Sequence, residues 1–211
     1  MAERLIYFGG TFDPVHLGHV RIARALAEAV RAERVLLVPT GVNPLKPPPA
    51  ATAEDRLAML RLATRDDTLF EVCTLELFRT PPCYTIDTIE LLREQAGAET
   101  EIHLAIGADM LADLPKWRRV VDLLGLVHLA VACRPPVTHQ AVEATLKQLS
   151  EKMKLLGRGK IHAQAIPTPM LDISSSDIRQ RISEGLSAES FVGKVEKEVM
   201  EYIRRKRLYG M

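Results

Sequence analysis

The sequence predicts an α/β protein with a doubly wound, mostly parallel sheet, and two observations carry this prediction. Short, continuous apolar runs recur along the 211 residues, as in strands buried on both faces of a parallel sheet. Segments with helical apolar spacing separate these runs, and such alternation favours right-handed crossovers with helices on both faces. We predict a single domain over residues 1–211, with a short C-terminal helical portion, about residues 174–211, packed on it.

The predicted elements begin with an apolar strand at residues 5–8, a glycine turn and an amphipathic helix. Further strands are predicted at residues 34–39, 102–106, 126–132 and 160–166, while residues 69–78 mix strand signals with charge. Helices are predicted at residues 54–64, 84–95 and 141–155, and two short helices finish the chain. Residues 40–53 contain Gly41, Asn43 and four prolines, so they are predicted to form a loop that overhangs the site.

The charge balance and the cysteines limit the class of protein. A net charge of +1, from 28 basic and 27 acidic residues, disfavours a globally basic nucleic-acid binder. Cys73, Cys83 and Cys133 are an odd number without a C-x-x-C pair, which suits packing residues in a reduced compartment. The chain lacks a signal-peptide pattern and any apolar run of membrane-spanning length. We therefore expect a cytoplasmic protein without nucleic-acid or membrane partners.

Residues 9–19 read G-G-T-F-D-P-V-H-L-G-H and link the first strand to the first helix. The glycine pair lets backbone N–H groups approach a ligand that a Cβ would exclude. His16 and His19, three residues apart, can face one point, where the helix start favours an anion and imidazoles add donors. Gly18 costs a helix ~1 kcal/mol relative to Ala, and we interpret it as allowing a ligand to approach closely. The stretch predicts a phosphate site, although the histidines alone also fit solvated residues or half of a metal site.

Residues 173–179 read I-S-S-S-D-I-R and allow two interpretations. Ser174-x-x-Asp177 fits a plain capping box ahead of an apolar helix face. Three hydroxyls and an arginine at a helix start also fit a second anion site, because arginine can bond phosphate oxygens bidentately. Two phosphate-capable helix starts, one near each end of the chain, suggest a polyphosphate held between them.

The two motifs together resemble the paired signature of the H-x-G-H nucleotidyltransferases, and within them that of the bacterial nicotinate-mononucleotide adenylyltransferases. The resemblance extends along the whole chain, at Pro39, Lys46, Tyr84-Thr85, Ile106-Gly107, Asp109, Trp117 and Arg134-Pro135. It implies a Rossmann-like nucleotidyltransferase fold and an enzyme of NAD biosynthesis. This enzyme would transfer AMP from ATP to nicotinate mononucleotide, giving nicotinate adenine dinucleotide and pyrophosphate.

The resemblance also implies roles for individual residues around ATP. The catalytic residues would be His16, His19 and Arg179. The ATP-binding residues would be Gly9, Gly10, Thr11, Phe12, Gly18, Gly107, Asp109, Ile173, Ser175 and Arg179. Mg²⁺ would be bound through the ATP phosphates and water, so no metal site made of protein ligands is expected.

For nicotinate mononucleotide, the resemblance implies contacts from Lys46, Tyr84, Thr85 and Trp117. A flat, electron-poor ring suits the aromatic face of Trp117, and a carboxylate needs hydrogen-bond donors such as Thr85. The chain departs from the family at one point, because Leu45 stands where the loop commonly has histidine. Any role of that histidine cannot be transferred to this chain.

Several alternatives remain open at this point. Within the same superfamily, the acceptor could instead be nicotinamide mononucleotide or phosphopantetheine. A regulatory module that binds nucleotide without chemistry is another alternative, and an RNA-binding protein using the basic run at residues 204–207 is a third. The helix-dipole interpretation of that run is favoured, because cations suit a helix end. His103 and His128 lie in apolar runs and are predicted to be core or edge residues. The oligomeric state is open, with a homo-oligomer as one option.

Overall fold

A computed structural model describes residues 2–41, 48–97, 99–133, 137–155, 161–169 and 171–210. The strands are β1 (Arg4–Gly10), β2 (Arg34–Pro39), β3 (Phe70–Val72), β4 (Glu101–Gly107), β5 (His128–Cys133) and β6 (Ala163–Pro167). The α-helices are α1 (Leu17–Val30), α2 (Ala53–Thr64), α3 (Thr85–Ala96), α4 (Val120–Leu126), α5 (His139–Leu155), α6 (Ser175–Ser183) and α7 (Lys197–Lys206).

These strands form one parallel sheet in the order β3-β2-β1-β4-β5-β6. The order runs outwards in both directions from the first strand, as in doubly wound dinucleotide-binding folds. The predicted α/β class with a doubly wound, mostly parallel sheet is therefore confirmed. In the part of the chain that is described, no helix is long and apolar enough to cross a membrane.

Most of the predicted elements are found, with three differences. Residues 69–78, where strand signals mix with charge, contain only β3, a strand of three residues. α4 was not predicted, and β6 begins at Ala163, later than expected. Within the predicted loop at residues 40–53, residues 42–47 lie outside the described part of the chain, and α2 already begins at Ala53.

Helix ends follow the capping chemistry of the sequence. Thr52 precedes α2, and its hydroxyl accepts a hydrogen bond from the Asp55 N–H at 3.1 Å. Acidic residues in the first turn of α2 complement the positive end of the helix dipole. At the C-terminal end of α3, Gly97 takes φ 85°, and its N–H donates to the Arg93 carbonyl. Such a positive φ favours glycine, so it marks where α3 stops.

The chain divides into two compact units. The first comprises Met1–Phe8, Ile22–Leu36 and Tyr84–Met170. Within it, β4 pairs in parallel with β1 on one side and with β5 on the other, and β5 pairs with β6. Its core is aliphatic and fully buried at Ile6, Ile102 and Leu129, as expected for strands covered on both faces.

The second unit comprises Gly9–Arg21, Leu37–Cys83 and Leu171–Met211. In this unit α2 packs against α7 and β3, and the Cys73 N–H donates to the Leu37 carbonyl at 3.0 Å. The two short C-terminal helices, α6 and α7, belong to it, and both were predicted. A single domain over residues 1–211 stays a prediction.

Candidate active site

The loop between β1 and α1, residues 11–16, is held by a buried aromatic ring. Phe12 is 1 % exposed, takes φ 51° and stands edge-on to the His19 ring, with 5.1 Å between ring centroids. A Cβ added at Gly10 would stand 2.9 Å from the Phe12 ring. Gly10 therefore makes room for the ring that anchors the loop, a reason that the predicted backbone cradle did not include.

His16 and His19 lie together, as their spacing predicted. Their rings stack with centroids 3.7 Å apart and planes at 22°. The His16 N–H donates to His19 Nδ1 at 3.2 Å. Because Nδ1 accepts this bond, the neutral His19 ring carries its proton on Nε2 and can donate from there to an anion.

The position of the His16 ring explains why residue 18 is a glycine. A Cβ at Gly18 would lie 2.8 Å from His16 Nδ1 and 2.9 Å from Cε1. Real Cβ contacts are longer than this, so a larger residue would displace the imidazole. The sequence interpretation assigned Gly18 to the close approach of a ligand, whereas the structure shows that it accommodates a catalytic candidate.

Asp13 is the centre of the loop, and the sequence interpretation missed this role. Its carboxylate is 3 % exposed and accepts from the Ala50 N–H at 2.7 Å and the Ala51 N–H at 3.1 Å. Tyr209 adds a third bond from its hydroxyl, at 2.7 Å. Burial and this carboxylate raise the pKa of Tyr209 well above its ordinary value, so Tyr209 remains a donor.

Arg56 supports the same loop from α2 and was also missed. Its side chain is buried, and Nη1 donates to the Thr11 carbonyl at 2.8 Å and to the Thr40 carbonyl at 2.9 Å. Burial lowers the pKa of Arg56 from a high ordinary value, while the nearby Asp13 raises it. A buried arginine beside a buried carboxylate thus fixes the backbone at the end of β1.

The start of α6 combines both interpretations of the second motif. Ser174 is the N-cap, and its hydroxyl accepts from the Asp177 N–H at 3.1 Å, so the capping box is real on that side. The next hydroxyl, that of Ser175, donates to the Pro14 carbonyl at 2.9 Å. Arg179 donates from Nη1 to the Asp13 carbonyl at 2.7 Å. The two motifs, about 160 residues apart in sequence, are therefore joined by hydrogen bonds.

Ile173 completes the second motif just before α6. It is half-buried, and its N–H donates to the Leu171 carbonyl at 2.9 Å. Arg179 also donates to the Ser176 hydroxyl at 3.3 Å and is about one-third exposed. The guanidinium is thus oriented by the loop and by α6 itself, while part of it stays accessible to a ligand.

The remaining predicted site residues that are described lie in the other compact unit. Gly107 ends β4, and a Cβ there would collide with the Asp109 carboxylate, which lies exposed in the following 3₁₀ turn. Tyr84 precedes α3 and Thr85 is the first residue of the helix. Trp117 is half-buried at the end of a second 3₁₀ turn. Lys46 and Leu45 lie outside the described residues.

A doubly wound parallel sheet, with the start of α6 hydrogen-bonded to the loop before α1, fits a protein of the nucleotidyltransferase class. Residues 7–181 match the family described as cytidylyltransferase-like. Relatives from Yersinia pestis (strain Pestoides F) and Pectobacterium atrosepticum, both named "probable nicotinate-nucleotide adenylyltransferase", are 39% and 38% identical. The Yersinia alignment covers 96% of this chain and 93% of the relative, and the Pectobacterium alignment 99% and 100%.

These matches identify the family: the chain belongs to the nicotinate-nucleotide adenylyltransferases, and it is an enzyme. A solved structure from Plasmodium falciparum, nicotinic acid mononucleotide adenylyltransferase complexed with NaAD, superposes with a TM-score of 0.78. It is 17% identical and covers 98% of this chain and 97% of its own, so this likeness supports the fold alone.

Proposed function

We propose that this chain transfers the AMP group of ATP to nicotinate mononucleotide, giving nicotinate adenine dinucleotide and pyrophosphate in NAD biosynthesis. One observation carries the proposal: the loop that leads into the stacked pair His16 and His19 is bonded to the start of α6 by Ser175 and Arg179. Two helix starts and several cationic or N–H donors then converge within one compact unit. The names of the relatives support the choice of substrates.

The chemistry needs no protein nucleophile, because the acceptor brings its own phosphate. An oxygen of the nicotinate mononucleotide phosphate attacks the α-phosphorus of ATP, and the bond to the bridging oxygen of pyrophosphate breaks. Catalysis then consists of alignment and of stabilising negative charge on the phosphate oxygens. His19 suits this task because its Nε2 proton is fixed by the bond that Nδ1 accepts. His16, stacked on it, would add a second imidazole.

Ser175 and Arg179 would hold the phosphates that leave as pyrophosphate. Arg179 is already oriented by the Asp13 carbonyl and has further N–H donors for a phosphate, so little side-chain entropy is lost when a phosphate binds. The Ser175 hydroxyl donates its one proton to the Pro14 carbonyl, so it would exchange that bond for one to phosphate. The backbone of Gly9 to Phe12 and Gly18 would line the phosphates, and Ile173 would contribute beside α6. For the adenosine, we propose Gly107 and Asp109, whose carboxylate can accept from ribose hydroxyls.

For the acceptor, we propose Thr85 and Tyr84 at the start of α3 for the nicotinate carboxylate and Trp117 for the pyridine ring. The Tyr84 ring is covered on one side by the Arg118 guanidinium, 4.6 Å from its centroid. Lys46 remains a proposed phosphate contact from the sequence. Nicotinamide mononucleotide and phosphopantetheine are the competing acceptors.

Mg²⁺ is proposed to bind through phosphate oxygens of ATP and water. Asp13, the acidic residue of the first motif, already uses both carboxylate oxygens to accept protein hydrogen bonds, which fits a metal held by substrate. When bound, the ion neutralises phosphate charge. We also propose a cytoplasmic location, since Cys73, Cys83 and Cys133 form no disulfide within the described structure. A homo-oligomer is left to measurement.

The test is pyrophosphate release from ATP and nicotinate mononucleotide with Mg²⁺, in the wild-type chain and in His19→Ala. We expect His19→Ala to lower kcat at least ~100-fold, the usual cost of losing a transition-state donor, with unchanged circular dichroism. His139→Ala on α5, a half-exposed histidine of the other unit, is the matched control and should keep wild-type turnover. Wild-type turnover in His19→Ala would refute the mechanism.

A parallel assay separates the acceptors. Nicotinate mononucleotide, nicotinamide mononucleotide and phosphopantetheine are compared at equal concentrations with the wild-type chain. We expect the highest kcat/KM with nicotinate mononucleotide. A higher value with either competitor would assign that acceptor instead, and ATP binding without pyrophosphate release would indicate a regulatory module.

A further inference from the structure

A row of histidines lies at the amino ends of β4, β5 and β6, whereas Gly107 lies at the carboxyl end of β4. His103 and His128 are Cα partners in the parallel pairing of β4 with β5, so their side chains project from the same face of the sheet. His162 directly precedes β6, and its carbonyl accepts from the Leu129 N–H at 2.7 Å. Glu101, two residues before His103, lies on the same face.

The side chains of this row are close to one another. The Glu101 Oε2 atom lies 3.6 Å from His103 Nε2 and 4.0 Å from His128 Nδ1. One ligand atom from each of Glu101, His103 and His128 falls within 4.8 Å of the other two. The His128 and His162 rings stack with centroids 4.7 Å apart. A cavity of about 250 Å³ is bordered by all three imidazoles.

His103 provides a second, independent observation. The residue is 8 % exposed, and its Nε2 atom is buried without a hydrogen-bond partner in the described structure. A buried polar atom without a partner costs free energy, so it calls for a partner that the protein chain does not supply. Burial lowers the pKa of His103 and likewise that of His128.

We propose that Glu101, His103 and His128 bind a divalent transition-metal ion of the zinc class, with His162 or water as the fourth ligand. Two imidazoles and a carboxylate are a common ligand set for Zn²⁺. Bonds of ~2.0–2.1 Å in a tetrahedral site place ligand atoms ~3.3 Å apart. The carboxylate oxygen lies 3.6 and 4.0 Å from the two histidine nitrogens, and all three ligand atoms lie within 4.8 Å of one another, so side-chain movements of about 1 Å reach this geometry.

Arg4 is the feature that opposes metal binding. Its Nε donates to Glu101 Oε2 at 2.9 Å, which orients the carboxylate but also places a positive charge next to the ion. This bond resembles the outer-shell contacts that orient ligating carboxylates. The added charge weakens binding, so we expect a site of micromolar affinity rather than a permanently filled one. Its role would be structural, joining the amino ends of β4 and β5.

The test is titration of the tag-free, full-length chain, stripped with a chelator, with Zn²⁺ alone in a calorimeter. We expect one ion per chain and a rise in Tm with added Zn²⁺, since binding to the folded state stabilises it. His128→Asn removes a ligand and should weaken binding at least ~100-fold, because changes in groups that only orient the ligands already cost up to that much. His103→Gln should do the same, and His128 is the safer variant because it is partly exposed.

His139→Gln is the matched control and should bind Zn²⁺ as the wild type does. Circular dichroism of each variant without metal checks that the fold is retained. The proposal is overturned if the wild-type chain binds no Zn²⁺, or if His128→Asn binds one ion with wild-type affinity. Retention would place the ion elsewhere, for example at the stacked pair His16 and His19.

Discussion

At the scale of single residues, the glycines of the first motif are shaped by the side chains around them. Gly10 leaves room for the Phe12 ring and Gly18 for the His16 ring, and both rings then contact His19. The motif thus stacks two imidazoles on a buried aromatic anchor. The arrangement of these rings requires glycine at positions 10 and 18, because a Cβ at either position would crowd a ring. A contact with a ligand alone would not explain both glycines.

Gly18→Ala is expected to lower kcat at least ~10-fold, because the new Cβ must displace the His16 imidazole and small misplacements are costly. The loss of stability should be small, since Ala favours the helix by ~1 kcal/mol and offsets the crowding. Gly125→Ala is the matched control: this glycine also lies within a helix, and a Cβ there meets nothing within 4 Å. Steady-state kinetics and urea unfolding measure both effects. Equal kcat in the two variants would contradict the assigned role.

Arg56→Met is expected to lower the free energy of unfolding by about 3 kcal/mol, because it leaves two carbonyl oxygens without their charged donor. Arg61→Met on the same helix is the control, since Arg61 is exposed and should change stability by less than ~0.5 kcal/mol. Urea denaturation of both variants gives the comparison. A similar loss in each would mean that the two carbonyl bonds contribute little.

The sequence could predict the histidines, serines and arginine of the two motifs but not the residues that hold them. Asp13 accepts hydrogen bonds from Ala50, Ala51 and Tyr209, which are 37, 38 and 196 residues away. Local spacing carries no information on such partners. Asp13 beside Pro14 has the composition of an ordinary turn. Arg56 lies in a helix with several other charged residues, so in the sequence it resembles a solvated cation.

At the scale of elements, the strength of the local pattern decided which predictions succeeded. β2 was predicted to the residue, because residues 34–39 contain the continuous apolar run V-L-L-V between an arginine and a proline. β3 has only three residues, and its neighbours form turns. Within residues 69–78 the charged residues therefore indicated the structure better than the strand signals did. α4 has seven residues and begins after Arg119 in the left-handed region, a start that no capping residue signals.

Two variants at the start of α6 separate the role of Ser174 as a helix cap from the proposed role of Ser175 in binding phosphate. Ser174→Ala removes the cap and should lower the free energy of unfolding by ~1 kcal/mol with unchanged kinetics. Ser175→Ala removes the bond to the Pro14 carbonyl, and we expect it to lower kcat/KM for ATP about 10-fold as well, a typical cost of one lost phosphate contact. Kinetics at varied ATP with thermal unfolding measures both. If the two variants differ only in stability, Ser175 has no role in binding phosphate.

At the scale of the whole molecule, the net charge is nearly zero and the sheet order is a common one. The site becomes specific because the C-terminal segment contacts the loop at residues 11–16. α7 ends with Arg204, Arg205 and Lys206, where cations complement the dipole, as the sequence indicated. Lys206 also lies 3.9 Å from Asp55. These contacts favour a structural role for the basic run. RNA affinity that falls steeply with salt and is lost on truncation after Tyr202 would instead support the RNA-binding alternative.

A tyrosine near the C-terminus bonds to the loop, and a second tyrosine, which bonds to a different carboxylate, serves as its control. Tyr209 donates to Asp13 at 2.7 Å, while Tyr202 donates to Asp55 at 2.8 Å. Burial, followed by Asp55, raises the pKa of Tyr202 to about 12, and Tyr209 shifts in the same direction with Asp13. Each phenol therefore stays protonated in the folded chain at neutral pH, and each variant to phenylalanine removes one hydrogen bond to a carboxylate.

Tyr209→Phe and Tyr202→Phe are both expected to lower the free energy of unfolding by about 1–2 kcal/mol, the value of a hydrogen bond to a charged group. Only Tyr209→Phe should also lower kcat, because Asp13 positions the backbone that Arg179 and Ser175 bond. In the wild type, the stability contributed by these phenols is present below pH 10 and falls as pH rises above it, since the unfolded chain releases the protons first. Urea unfolding at pH 8 and kinetics at the same pH decide the case: an equal kcat in both variants would show that the C-terminal contact stabilises the fold without positioning the catalytic loop.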